Sequence, residues 1–307
     1  MKYAFSIAAL AAIATAGPVV TERQAAAAVT DVGILNYALT LEHLEDKFYR
    51  EGLANYTEAD FAKAGFDSTF YANLKEISYD ETTHVSFLTT ALAGAAVAEC
   101  KYSFPSTDPA SFVALASVLE GVGVSAYLGA AGSIMNKDYL TAAGSILTVE
   151  ARHNAYVRSA LKQSPFPQPF DSPLTFDEVY TLAAGFIVSC PDSNAAKPQL
   201  PLKAFPTVAL GTSGPIKSGD TIELLTPGYT LAPKDGQAPI YAAFVSVTGP
   251  VYVDVTPMDG GFKVVVPKGV NGQSYVVLTG CKDRVTDDTV AAGPAIVEIT
   301  NPYPSTA

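Results

Sequence analysis

Residues 81–84 read Glu81-Thr82-Thr83-His84 and residues 150–153 read Glu150-Ala151-Arg152-His153, so two of the chain's three histidines close the same four-residue pattern. With glutamate as sparse as it is here, chance places that spacing before two of three histidines roughly 0.5% of the time. On a helix, positions i and i+3 project from one face, so each motif aims a carboxylate and an imidazole at one point. Two further helical stretches each bring a carboxylate into apolar surroundings: Glu42 in Leu41-Glu42-His43-Leu44, and Glu120 in Val118-Leu119-Glu120-Gly121. A tyrosine follows each of them seven residues later, Tyr49 and Tyr127. Glu45, one turn beyond Glu42, is the alternative donor on its helix, and the Tyr49 spacing favours Glu42. His43 is expected at the surface, because its neighbour Glu42 turns it away from the site.

Four carboxylates converging in an apolar core would repel one another and cost several kcal/mol each to desolvate. Two divalent cations cancel that charge, and a mixed carboxylate and imidazole set suits iron or manganese better than calcium or zinc. Tyr49, Tyr127, Tyr156 and Asp80 are candidates for hydrogen bonds that orient the ligands.

Working outward, residues from about 30 to 190 predict helices with short connections. The first runs from 32 to about 52, with Asp31 as its cap and Leu35, Ala38, Leu41, Leu44 and Phe48 at helical spacing. The second runs from about 68 to 97. The third opens on Asp108-Pro109, an N-cap and N1 pair, and continues to about 135. The fourth runs from 137 to just before Ser164-Pro165. A proline-rich crossing then leads to a short fifth helix over 175–189, opened by a capping box of Thr175 and Glu178. Four long apolar helices and one short one make a bundle over 17–190.

Beyond Cys190, prolines at 191, 198, 201 and 206 predict a linker over 191–206. In 207–307 the runs 221–225, 240–247, 251–255, 262–266, 275–278 and 295–299 are short and β-branched, with turn signals at Asp259-Gly260-Gly261 and Asn271-Gly272. They predict a small antiparallel β-sandwich of the Ig-like kind. The fold class is therefore α+β in separate domains.

One glutamate from each of two helices and a Glu-x-x-His from each of the other two resembles the ligand set of ferritin-like dinuclear carboxylate proteins. The resemblance covers roughly residues 30–190. With its C-terminal β domain the chain is similar to the secreted fungal branch of that superfamily, the Rds1-type stress-response and desiccation-related proteins. The resemblance implies a site for two Fe or two Mn ions held by Glu42, Glu81, His84, Glu120, Glu150 and His153. It also implies stress-related redox chemistry on O₂ or H₂O₂, either a catalase-like dismutation or a di-iron oxidase reaction. A reading of another class stands beside it: a structural protein of the cell wall or extracellular matrix, metal-stabilised or metal-free, making contact through its β domain without turnover.

Composition narrows the partners. Thirty Asp and Glu against 19 Lys and Arg give a net charge of -11, which repels polyphosphate, so nucleic acid is excluded. Charged residues are only 16% and hydrophobic residues 49%, enough for a large core. The start of the chain places Lys2 before an apolar run and then Ala14-Thr15-Ala16, which predicts a signal peptide over 1–16, cleavage before Gly17 and an extracellular protein. Three cysteines suit an oxidising compartment with one disulfide. Cys100 and Cys190 each fall at the end of a predicted helix in one domain and are expected to pair, leaving Cys281 free or buried in the sandwich. Asn55-Tyr56-Thr57 is a glycosylation sequon.

Residues 110–135 carry a single charge, Glu120, but are interrupted by glycines at 121, 123, 129 and 132, and read as a buried core helix with no membrane span. Gly121 and Gly123 each lower local helix stability by up to about 1 kcal/mol. Residues 301–304 lack the hydrophobic tail that a lipid anchor replaces. The oligomeric state is open, a homo-oligomer included. No histidine occurs beyond His153, so the β domain has no copper site of the His-rich kind.

Overall fold

The computed structural model describes residues 29–233 and 239–300 and the backbone of residues 12–16. Apart from that last stretch, the expected leader lies outside the described residues, as do residues 301–304. The chain divides into two compact units, Glu22–Ala204 and Phe205–Ala307 with Met1–Thr21.

The first unit is helical: α1 (Asp31–Asn55), α2 (Glu58–Lys63), α3 (Ser68–Leu92), α4 (Pro109–Ala131), α5 (Lys137–Ala160) and α6 (Phe176–Ala184). Helix α1 packs chiefly on α3 and α4 on α5, and the two pairs meet through α1 with α4 and α3 with α5. Buried positions on α3 fall at 70, 74, 77, 78, 81, 84, 88 and 92, the stripe of a helix with one face inward, and both Glu81 and His84 lie in it. On α5 the stripe is Ile146, Glu150, His153 and Val157.

Local chemistry sets the helix ends. Asp108 caps α4 in a capping box with Ser111, Pro109 takes the first turn, and Thr175 and Glu178 form the capping box of α6. The cap of α1 is Thr30 rather than Asp31, whose carboxylate instead accepts from the backbone N–H groups of Met135 and Asn136, each at 2.8 Å, before α5. Helix α3 stops at Leu92, five residues short of expectation, and α6 at Ala184. Beyond α6 the β-branched stretch Ile187–Ser189 becomes β3 and pairs with β2 (Lys101–Tyr102). The short α2 was not expected; the Thr57–Asp60 capping box starts it, and Phe61 is fully buried.

The Cys100–Cys190 disulfide ties the start of β2 to the end of β3, and Cys281 is free. Residues 191–204, predicted as a linker, are fastened to the helical unit. The Asn194 amide donates to the Ala98 carbonyl and accepts from its N–H, both at 2.8 Å, and the buried Asn36 amide donates to the carbonyls of Ala95 and Pro198. Among the described residues α4 alone is long and apolar enough to cross a membrane; with two thirds of its most apolar stretch buried, it is the core helix of the bundle.

The second unit is a seven-stranded antiparallel sheet in the order β11-β10-β7-β8-β9-β5-β4. Its strands are β4 (Ala209–Leu210), β5 (Thr221–Leu225), β7 (Tyr241–Phe244), β8 (Val251–Met258), β9 (Gly261–Val265), β10 (Gly272–Thr279) and β11 (Val290–Ile299). Strand β8 pairs with β7 over 251–254 and with β9 over 255–258, so the two faces of the expected sandwich are halves of one folded sheet. Ile222 and Leu224 of β5, Val276 and Leu278 of β10, and Val297 of β11 share a single core. Strand β6 (Tyr229–Pro233) runs parallel to β1 (Ala12–Ala16).

Candidate metal centre

Four helices deliver six side chains to one place. Glu42 comes from α1, Glu81 and His84 from α3, Glu120 from α4, and Glu150 and His153 from α5; all four carboxylates are fully buried. His84 Nδ1 lies 3.2 Å from Glu42 Oε2 and 3.3 Å from both Glu81 Oε2 and Glu150 Oε1. His153 Nδ1 lies 3.0 Å from Glu81 Oε1 and 3.4 Å from Glu120 Oε2. The donor atoms form two groups, each within 4.8 Å: Glu42, Glu81, His84 and Glu150, and Glu81, Glu120, Glu150 and His153. Glu81 and Glu150 belong to both groups, while Glu42 and Glu120 belong to one each.

These atoms converge without satisfying one another. Glu42 Oε2, Glu81 Oε1, Glu120 Oε2, both oxygens of Glu150 and His153 Nδ1 are buried with no hydrogen-bond partner. His153 Nδ1 is close to two carboxylates, but not in hydrogen-bonding geometry. Buried polar atoms left bare carry a penalty of about 1–3 kcal/mol each, more when charged. A donor set of carboxylates and imidazoles around unfilled lone pairs fits a divalent cation site.

The surrounding hydrogen bonds cross between helices. Tyr49 of α1 donates to Glu120 of α4, and Tyr127 of α4 donates to Glu42 of α1. The sequence pairs each tyrosine with the glutamate on its own helix; the fold exchanges them. Burial, then the adjacent carboxylate, lifts both phenols well above their ordinary value, so they remain donors. His153 Nε2 contacts Asp80 Oδ2 at 3.1 Å, which turns Nδ1 toward the carboxylates.

Electrostatics records the strain of so much charge. Burial, offset in part by His84, brings Glu42 up to about 7. Burial followed by repulsion from Glu81 pushes Glu150 well above the usual carboxylate range. Glu81 also feels burial, but its close contacts with His153 and His84 outweigh it and hold the group down to about 2. Against burial, contacts with Glu120 and Glu81 raise His153 to about 11.

Glu45 is buried beside this set. A Cβ on Gly123 would stand 2.9 Å from Glu45 Oε1 and 3.3 Å from Glu150 Oε2, so glycine at 123 is what leaves room for both carboxylates. Burial, then the charges of Glu150 and Glu81, raise Glu45 well above the usual range. No local sequence signal joins Gly123 to Glu45; the register of α1 against α4 does.

Tyr156 lies elsewhere, accepting from Asn73 Nδ2 at 2.9 Å and stacking on Phe70. His43 is buried, not at the surface: its Nε2 meets the Val97 carbonyl at 3.3 Å, because residues beyond α3 fold back over α1. Asn55 is exposed at the end of α1.

Residues 30–163 match the family model for the ferritin-like domain. The chain is also similar to "Protein rds1" of Schizosaccharomyces pombe, with 24% identity over 326 aligned positions that cover 87% of this chain and 80% of that protein. Both likenesses include the helices that carry the six clustered side chains, so the helical unit is similar to a ferritin-like domain and the chain as a whole to the Rds1 protein.

Proposed function

We propose that the helical unit holds a dinuclear iron or manganese centre, with Glu42, Glu81, His84, Glu120, Glu150 and His153 as ligands, and that an exported protein uses it on dioxygen or hydrogen peroxide under stress. The observation that carries this reading is the pair of overlapping donor groups sharing Glu81 and Glu150. Two cations at that spacing would each take one histidine and one private carboxylate and share the other two. Four carboxylates against two divalent cations make a neutral buried cluster, which removes the penalty for burying them.

When bound, such a pair supplies two electrons in paired steps, enough to reduce one peroxide to water or to take them back from a second. The chain's own residues would prepare this chemistry. Tyr49 and Tyr127 hold the two private carboxylates in place by donation, and Asp80 fixes the ring of His153. The buried setting keeps bulk water from the cluster. The disulfide supports export, since such bonds persist in oxidising compartments.

Elemental analysis of the purified full chain beside a Glu81→Ala/His84→Ala variant, with peroxide and oxygen consumption followed on both, tests the reading. About two Fe or Mn per chain, lost in the variant together with turnover, is the expected result. Metal without turnover would favour a stabilising role, and no transition metal in the wild-type protein would refute the centre.

A further inference from the structure

Among α1, α3, α4 and α5 lies a cavity of about 30 Å³ whose wall is almost wholly hydrocarbon. Six alanines, Ala38, Ala91, Ala126, Ala130, Ala142 and Ala143, stand where longer side chains would fill it. Its wall also includes Phe87, which with Ala91 is exposed to solvent, and Tyr127, whose hydroxyl donates to Glu42. The cavity wall thus includes solvent-exposed residues as well as Tyr127, the side chain that holds Glu42.

Size and polarity together select a guest. A water-sized molecule needs roughly 10–15 Å³ of such space, so this cavity has room for a diatomic gas. Hydrogen peroxide hydrogen-bonds through both oxygens and would lose those bonds against a hydrocarbon wall. Dioxygen has none to lose. We propose that the cavity is a dioxygen-binding site and that it admits the gas to the carboxylate cluster. The admission role rests on the metal-centre reading; the binding itself does not.

Full-length, metal-free protein with labelled alanine and leucine methyl groups, observed by NMR under oxygen pressure, tests the binding. Paramagnetic broadening is expected to concentrate on the methyls of Ala126, Ala130 and Leu88, and to vanish in Ala142→Phe, which plugs the cavity from a half-buried position. Ala91→Phe, at an exposed position, serves the same purpose if Ala142→Phe fails to fold. Broadening no stronger than at surface methyls, or unchanged in a folded plugged variant, overturns the site. In iron-loaded, reduced protein the plug is expected to slow reoxidation by dioxygen about tenfold or more while peroxide consumption stays within about twofold. An unchanged dioxygen rate overturns the admission role. Failure of the wild-type protein to load metal would sink the metal-centre reading alone, the oxygen-pressure spectra still deciding the cavity.

Discussion

Two glycines of α4 separate space kept for a site from space required by the fold. Replacing either with alanine relieves the helix by about 1 kcal/mol. At Gly129 the new Cβ would sit 1.8 Å from the Leu174 carbonyl oxygen, a backbone atom, so the 165–174 crossing must retreat by roughly 1 Å or more. The retreat also breaks the 3.2 Å hydrogen bond from the Leu174 N–H to the Ser125 carbonyl. Overpacking at about 1–3 kcal/mol and a lost hydrogen bond at about 1 kcal/mol leave Gly129→Ala destabilised by about 1–3 kcal/mol after the helix gain. At Gly123 the Cβ meets only the ends of the Glu45 and Glu150 side chains, so Gly123→Ala is expected to change metal-free stability by less than about 1 kcal/mol. Its effect should fall on metal content instead, because the displaced carboxylates include a shared ligand of the proposed centre. Thermal melts of the metal-free proteins and metal-to-protein ratios after reconstitution read the two effects separately. Wild-type metal content in Gly123→Ala, with a melt as low as that of Gly129→Ala, would refute the assignment of the space over Gly123 to the site.

The exchanged tyrosines predict matching losses: Tyr49→Phe and Tyr127→Phe should each weaken metal binding about 10–100-fold by chelator competition, and a large effect in only one would deny the two-fold logic. The metal-free protein should also lose stability as pH rises. The Glu42 carboxyl sits at about 7 against an ordinary 4.5, so its contribution is full below the lower value and gone above the higher. Metal requires the ionised form, so the gap in melting temperature between loaded and metal-free protein should widen across that window, and a narrowing gap would contradict the assignment. The disulfide closes a segment of 90 residues, so its reduction should destabilise the helical unit by roughly 3–4.5 kcal/mol, read as a fall in melting temperature with reductant, while Cys281→Ser leaves it unchanged.

The parts legible in the sequence are those encoded by local periodicity. Glu81 with His84, and Glu150 with His153, announce a shared face because three residues on a helix return to it, and the buried stripes of α3 and α5 keep that promise. The Asp108 and Thr175 caps are local in the same way. What escaped depends on contacts between distant segments. The sequence cannot indicate that Tyr49 serves Glu120, since only the packing of α1 on α4 decides it. His43 looks like a surface residue until residues beyond α3 fold back and bring the Val97 carbonyl to its ring. Asp31 is a plausible cap for α1, but the N–H groups ahead of α5 compete for its carboxylate and leave Thr30 that role. The sequence marks only 251–255 of β8 as a strand; that it continues to Met258, and that its two halves pair with different neighbours, follows from the fold of the sheet around a common core.

The centre is built from a repeated plan with one deliberate asymmetry. Each single-glutamate helix carries its tyrosine seven residues on, each Glu-x-x-His helix gives one shared carboxylate and one imidazole, and the tyrosines cross reciprocally between α1 and α4. Three residues after the single glutamate, however, α1 has Glu45 and α4 has Gly123, and the two positions face each other. A glutamate at both would place two more carboxylates in the same fully buried space, and the 2.9 Å gap leaves no volume for the second. With one, the proposed centre has five carboxylates against two divalent cations. In the metal-free protein, burial and then the charges of Glu150 and Glu81 raise Glu45 well above the usual carboxylate range. The glycine that the sequence marks as a weakness of α4 is thus the position that lets the extra acid lie beside a shared ligand, and the helix propensity lost there, about 1 kcal/mol, keeps the Glu150 carboxylate where the proposed centre needs it.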